Sequence, residues 1–298
     1  VIFADFTHPQ AEKLASRLSS LSGLQRLFFS DNGSTAVEVA LKIACQFWQN
    51  QGQKDRRQLI AFKGAYHGDT FGAMAVGERN LFNAPFEEML FPVARVSWPA
   101  TWWGDKDVEE REAIAIKELE QKLEIPTAAV ILEPLLQGAG GMNMVRDEFL
   151  KTVEKKVRKS GALLIADEVL TGFGRCGDLF AYKKAGFQPD LLALSKGLTG
   201  GFLPMGITMA QERIFEAFIG SDPRLTLWHG HSFTANPLGC AAANASLDLL
   251  ENSPEKFQSF EARHKPHLEA LATHPKVKKP RLIGTIAAFD LVVNKDKE

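Results

Sequence analysis

Charged residues stand where two apolar runs stop. Leu163-Leu164-Ile165-Ala166 ends in Asp167-Glu168, and Asp190–Ser195 ends in Lys196, which precedes Gly197-Leu198-Thr199-Gly200-Gly201. Continuous apolar runs of this length fit strands buried on both faces. A lysine at one strand end, near an acid at a neighbouring strand end, is a candidate for Schiff-base chemistry, because partial desolvation lowers an ammonium's pKa and frees the amine as a nucleophile. A semi-buried Asp suits a cationic ring nitrogen, the partner that lets a pyridoxal ring act as an electron sink. Each residue also has a plainer reading. Asp is a common helix cap, and most lysines are solvated surface charges.

Two more stretches sit after strand-like runs. Ser30-Asp31-Asn32-Gly33-Ser34-Thr35 joins a strand to a helix. Glycine lets the backbone approach a ligand closely, and a helix N-terminus offers free N–H groups and a positive dipole end to a phosphate. A helix cap by Ser34 or Thr35, with Glu38 completing a capping box, accounts for the same residues. Gly64-Ala65-Tyr66-His67-Gly68-Asp69-Thr70 follows another strand. A tyrosine beside glycine there could stack on a planar ring, although an aromatic–His pair is usually structural.

The elements that must position these residues alternate between helical and strand periods. Ala11, Leu14, Ala15, Leu18 and Leu21 share one helical face over Thr7–Leu21, with Thr7 and Gln10 spaced as a capping box. Strands are predicted at Gln25–Ser30, Gln58–Phe62, Ala128–Leu132, Ala162–Ala166, Asp190–Ser195 and Gly206–Met209, and helices at Ser34–Asn50, Glu109–Leu123 and Asp147–Lys159. Gly77–Asp107 has no period and reads as a long excursion. The pattern is helical from Asn236 to about Leu271, and strand-like over Leu282–Val293. This alternation predicts an α/β fold with a largely parallel sheet covered on both sides, in which ligands bind beyond the C-terminal strand ends.

Composition narrows the function classes. The balance of 45% hydrophobic and 24% charged residues is that of an ordinary globular protein. A net charge of −1 gives no electrostatic case for nucleic acid or an anionic membrane, and no apolar run is long enough to span a bilayer. Cys45, Cys176 and Cys240 are far apart. They have no metal-ligand spacing and form no even disulfide set, so no metal is expected and a reduced, cytoplasmic setting is. Val1–Asp5 lacks both a signal-peptide pattern and an initiator Met. A chain cut at the front, and also at the tail Asn294–Glu298, is the expectation.

Taken together and in this order, the motifs resemble the class III aminotransferases of pyridoxal-phosphate (PLP) fold type I, over essentially the whole chain. The most specific part is Asp167-Glu168-Val169 with Thr171-Gly172-Phe173-Gly174-Arg175, followed by Lys196 in Ser-Lys-Gly-Leu-Thr-Gly-Gly. Glu133-Pro134 with Gln137-Gly138-Ala139-Gly140-Gly141, and His229-Gly230-His231-Ser232-Phe233 with Asn236-Pro237-Leu238, are further landmarks. Within the class, Tyr66–Met74, Gln137–Met142 and Leu170 (where acetylornithine-type relatives usually carry Gln) are most similar to the branch that aminates 8-amino-7-oxononanoate in biotin biosynthesis. Its amino donor is S-adenosylmethionine or lysine. Other ω-aminotransferases of the class, acting on ornithine, GABA or a semialdehyde, are the alternative.

The resemblance implies a PLP-binding large domain over residues 1–252 and the beginning of a smaller C-terminal α+β domain over 253–298. It implies that Lys196 forms the Schiff base and shuttles the proton, and that Asp167 pairs with the ring nitrogen. Gly33 and Ser34 would hold the phosphate, Tyr66 would stack on the ring, and His67 and Glu133 would lie close to it. Asp69 and Gly230 would face the substrate, with Arg175 near its entrance. Ser232 would reach the phosphate of the neighbouring subunit's cofactor, in a homodimer with shared sites. Family chains extend further at both ends, where they add aromatic residues and a carboxylate-binding arginine to the substrate pocket; neither is found here. Two other classes compete. A nicotinamide-binding fold needs Gly-x-Gly-x-x-Gly after its first strand, which Ser-Asp-Asn-Gly-Ser-Thr does not match. In a non-catalytic binding module, Lys196 and Asp167 would be structural only.

Overall fold

The structure is a computed structural model that describes residues 6–252 and 254–292. In chain order its elements are α1 (Pro9–Ser22), β1 (Arg26–Ser30), α2 (Gly33–Asn50), β2 (Gln58–Phe62), α3 (Phe71–Val76), β3 (Ala94–Val96), α4 (Val108–Leu123), β4 (Thr127–Leu132), β5 (Leu136–Gln137), β6 (Asn143–Met144) and α5 (Asp147–Ser160). They continue with β7 (Leu163–Asp167), α6 (Ala181–Ala185), β8 (Leu191–Leu194), β9 (Gly206–Ala210), α7 (Glu212–Glu216), α8 (Pro237–Glu251), α9 (Pro254–Ala272), β10 (Val277–Ile283) and β11 (Ile286–Leu291).

The expected mostly parallel sheet is present. Seven strands run in the order β1-β9-β8-β7-β4-β2-β3, and only β9 opposes its neighbours. Alternate side chains of each strand enter opposite cores. Ile60, Phe62, Val130, Leu132, Leu164, Ala166, Leu192 and Leu194 pack with α1, α4, α5 and α8. Leu59, Ala61, Ala129, Ile131, Leu163, Ile165, Leu191 and Ala193 pack with α2, α3 and α7. Both faces are therefore dry, which is why the sequence shows unbroken apolar runs in place of alternation.

Several local expectations are corrected. The first helix is capped by His8, whose ring Nδ1 accepts the Ala11 N–H at 3.3 Å, and not by Thr7. The long excursion carries a strand, β3, which is only three residues long and closes the sheet edge. The single strand expected over Leu282–Val293 is the second half of a hairpin, β10–β11, which forms its own sheet. That hairpin docks on the main body: the Trp103 N–H donates to Pro280 O at 2.8 Å, and Arg281 donates to Met142 O at 2.8 Å and Gly141 O at 2.6 Å. The expected boundary after residue 252 adjoins residue 253, which lies outside the described residues, as do residues 1–5 and 293–298.

At the end of β7 the chain separates two adjacent acids. Asp167 faces the cleft described below, whereas Glu168 turns back and accepts the Ala181 N–H at 2.9 Å and the Tyr182 N–H at 2.6 Å. It thereby caps α6. Burial pushes the Glu168 carboxyl up to about 8, against the opposing pull of those two N–H groups. A carboxyl raised in the folded state binds a proton that the unfolded chain has released above the ordinary carboxyl range. Its contribution to stability is therefore full below about pH 4.5 and is lost as pH rises through about 8. The melting temperature of the cofactor-free protein is expected to fall between about pH 5 and pH 9, and the slope should flatten in Glu168→Gln. An unchanged slope in that variant would assign the effect elsewhere.

Candidate active site

The site is built where parallel strands end. Asp167, the last residue of β7, pairs in register with Ala193 of β8. Three residues beyond Ala193 the chain reaches Lys196, so the carboxylate and the amine leave adjacent strands on the same edge. Ser195 is fixed by its hydroxyl, which donates to Met205 O at 2.7 Å. Lys196 then takes a left-handed backbone, φ +38°, a conformation that costs a non-glycine residue about 1–3 kcal/mol. The Ser246 hydroxyl holds the turn from outside by donating to Gly197 O at 3.2 Å.

Eight of the ten site residues predicted from sequence line one cleft of about 800 Å³: Lys196, Asp167, Tyr66, Gly33, Ser34, His67, Glu133 and Asp69. Leu170 lines it too. Gly230 and Ser232 do not; both are exposed on the loop before α8. Arg175 is also exposed and outside the cleft.

Asp167 is 3% exposed. Its Oδ1 accepts the Val169 N–H at 3.0 Å, and its Oδ2 lies 2.7 Å from His67 Nδ1. A carboxylate only accepts, so His67 donates from Nδ1, and its Nε2 is left buried with no partner among the described residues. Glu133 closes the same corner, accepting the Tyr66 N–H at 3.1 Å and the Gly138 N–H at 3.0 Å. Burial pushes its carboxyl up to about 7, with His67 opposing and Asp167 reinforcing the shift. The Tyr66 hydroxyl donates to Asp69 Oδ2 at 2.9 Å, and burial followed by that bond pushes its pKa up to about 12.

The helix cap differs from expectation. Asn32, and not Ser34 or Thr35, is the N-cap of α2, in a reciprocal capping box with Thr35. Glu38 plays no part in it; its carboxylate accepts the Thr70 hydroxyl at 2.6 Å and the Ala73 N–H at 2.9 Å. Because Asn32 accepts from the N–H groups of Thr35 and Ala36, those of Gly33 and Ser34 are left for something outside the helix. Gly33 has no room for a side chain, since a Cβ would lie 2.6 Å from Val169 Cγ1. Sequence reasoning missed Asn32 and Val169. The first was legible as a favoured N-cap type; the second has no signal until β7 and α2 are packed together.

This donor set fits PLP. A buried carboxylate awaits a cationic ring nitrogen. Two N–H groups at the positive end of an 18-residue helix await a phosphate. The Lys196 ammonium has no carboxylate partner among the described residues and is available to an aldehyde. A mostly parallel sheet with such a cleft at its strand ends defines a PLP-dependent transferase of fold type I. The chain belongs to the class-III aminotransferases, whose sequence profile matches residues 1–298.

It is 60% identical over 295 residues to the adenosylmethionine-8-amino-7-oxononanoate aminotransferase of Synechococcus elongatus, covering 98% of this chain and 69% of that protein. Its identity to the Geobacter sulfurreducens protein of the same name is 41%, covering 96% of this chain and 66% of the relative. The chain thus spans about two-thirds of the length of these relatives. The crystal structure of the Methanocaldococcus jannaschii protein of that name superposes with a TM-score of 0.89 at 33% identity, over 99% of this chain and 68% of that one. An amine transaminase from an uncultivated Pseudomonas species, in its PLP-bound form, gives 0.90 at 32%, over 98% of this chain and 69% of that one.

The contact at Gly33 generates a test. Gly33→Ala is expected to weaken PLP binding by roughly tenfold or more, because α2 must move away from Val169. The double variant Gly33→Ala, Val169→Ala should recover much of the loss, as read by equilibrium titration of the cofactor-free protein. No recovery would mean that the glycine is needed for some other reason.

Proposed function

We propose that this chain is the cofactor-binding core of the transaminase that converts 8-amino-7-oxononanoate to 7,8-diaminononanoate, with S-adenosylmethionine as the amino donor. The observation that carries the reading is Asp167 and Lys196 at the ends of adjacent parallel strands, both lining one cleft. The substrate follows from the relatives' names together with Leu170 and Asp69 in that cleft.

When bound, PLP supplies a ring that stabilises the negative charge left as a substrate carbon loses its proton. The chain's own residues do the rest. Asp167 keeps a ring nitrogen protonated. His67 fixes that carboxylate by donating from Nδ1, so that Asp167 is neither free to rotate nor left as an unpaired buried charge. Lys196 would hold the cofactor through its amine, and its Nζ would take and return the proton. Gly33 and Ser34 would hold the phosphate by backbone N–H. Tyr66 would cover the ring, and its hydroxyl is kept oriented by Asp69. Glu133 sets the wall through its two backbone bonds, and with its pKa near 7 it adds less than a full negative charge beside Asp167 at neutral pH.

A homodimer with shared sites belongs to the same proposal. Ser232 is exposed and outside its own cleft, where it would serve the partner's phosphate; Gly230 on the same loop would face the partner's substrate. Leu238, Ala241, Ala245 and Leu249 lie at helical spacing on α8 and are all exposed, an apolar stripe suited to a second copy. A cytoplasmic location accords with three free cysteines. No helix among the described residues is long and apolar enough to cross a membrane. The separate β10–β11 sheet supports a smaller unit starting near residue 253.

In the full-length protein, Lys196→Ala is expected to abolish both turnover and any borohydride-reducible PLP adduct; a surviving adduct would remove Lys196 from its role. Wild-type protein should aminate 8-amino-7-oxononanoate in preference to ornithine, GABA or amine substrates, and the reverse preference would move it to another branch of the class. Mixing inactive Lys196→Ala subunits with inactive Ser232→Ala subunits should restore part of the activity, since one hybrid site would be intact. Proven exchange without recovery would exclude shared sites.

A further inference from the structure

The loop that carries Ser232 has one short 3₁₀ turn, Pro223–Leu225, and is held along one stripe of α2. Lys42, Gln46 and Asn50 stand at i, i+4 and i+8 on that helix. Gln46 Nε2 donates to Thr226 O at 3.0 Å and Leu225 O at 3.2 Å, and Asn50 Nδ2 donates to Leu225 O at 3.0 Å. Lys42 Nζ is 2.8 Å from His229 Nδ1. From there the contacts continue: His229 Nε2 lies 3.1 Å from His231 Nε2, and His231 Nδ1 lies 3.3 Å from Asp31 Oδ2. Asp31 immediately precedes the Asn32-Gly33-Ser34 turn.

The two ends of this chain of contacts fix its direction. A lysine ammonium has only donors, and an aspartate carboxylate has only acceptors. His229 must therefore accept at Nδ1 and carry its proton on Nε2. His231 must accept at Nε2 and carry its proton on Nδ1, facing Asp31. In that arrangement every polar contact has one donor and one acceptor. The surroundings agree. His229 packs its ring on Phe28 of β1, and burial, then Lys42 and His231, hold its pKa below the ordinary imidazole range, with only Glu38 of α2 pulling the other way. Protonating either imidazole sets donor against donor.

We propose that Lys42, His229, His231 and Asp31 form a one-way hydrogen-bonded relay that registers the Ser232 loop against the turn holding the cofactor phosphate, making these four positioning residues for the site. The inference rests on the reading of Asn32–Ser34 as the phosphate cradle. Its action is mechanical: one side of the relay is the cradle, the other is the loop, and α2 is the rigid rail between them.

The test has two readouts. In cofactor-free protein at about pH 8, above the ordinary imidazole range, imidazole nitrogen NMR should show His229 protonated on Nε2 and His231 on Nδ1. The opposite tautomers would overturn the relay. In the holoenzyme, His229→Phe keeps a ring against Phe28 but removes the relay, and should lose PLP roughly tenfold faster, as for one hydrogen bond. His229→Gln, which can accept from Lys42 and donate to His231, should restore retention. Wild-type cofactor loss should accelerate as pH falls below the ordinary imidazole range, where His229 gains its proton, and that step should be missing in His229→Phe, which has no relay left to break. If His229→Phe does not fold, Lys42→Met removes the first donor from an exposed side chain and should show the same loss. Equal retention and equal pH dependence in wild type and variants would overturn the proposal. If Gly33→Ala weakens retention in the same assay, the cradle stands and only the relay has failed; if it does not, the cradle reading falls as well.

Discussion

The Asp167 carboxylate, 3% exposed at the end of a strand dry on both faces, sets the terms for the rest of the structure. A charge taken that far from water is tolerable only with partners in place. Two are supplied by the protein, the Val169 N–H and His67 Nδ1, and each fixes something further. The Val169 bond shapes the turn after β7, which brings the valine against Gly33 at the start of α2. The His67 bond ties the Tyr66–Thr70 segment over the same strand end, which brings Tyr66, Asp69 and the backbone donor to Glu133 into the cleft.

The same constraint explains why two neighbouring acids behave so differently. Asp167 is the last residue of β7 and Glu168 the first beyond it, and the chain turns there so that the two side chains part. One faces a cleft and a histidine; the other is sealed under α6 with only backbone N–H groups for company. Burial raises the Glu168 carboxyl to about 8, which makes it a local cap whose charge the fold resists. Glu133 lies between these cases. Its two backbone bonds and the nearby imidazole work against burial, and its carboxyl is pushed only to about 7.

The helix α2 serves the site at both scales. Its N-terminus leaves the Gly33 and Ser34 N–H groups unspent because Asn32 takes those that follow. Its body is apolar on one side, with Ala36, Val37, Ala40, Ala44 and Phe47 buried against the sheet, so its N-terminal end cannot drift without moving the core. Its outer stripe of Lys42, Gln46 and Asn50 holds the loop before α8. Glu38, one turn before Lys42 on the same stripe, fixes Thr70. One element therefore connects the sheet, the Asn32–Ser34 turn, the Tyr66–Thr70 segment and the loop before α8.

The strand ends were legible in the amino-acid sequence because a strand buried on both faces must be apolar throughout, and the first polar residue after such a run marks where it emerges. That placed Lys196 and Asp167, and with the glycines at 33 and 68 most of the cleft. Other features were decided only by tertiary structure. The β3 strand is three residues of which one is buried, too short to show a period. The cap of α1 depends on a histidine, outside the usual cap types. Which of two adjacent acids faces the cleft is a matter of how the chain turns after β7, which only the packing of α6 and the Tyr66–Thr70 segment decides. The Lys42–His229–His231–Asp31 relay joins residues 187 positions apart, and no local pattern encodes it. Its direction follows from donor and acceptor chemistry alone, but only once folding has set the four side chains in a row.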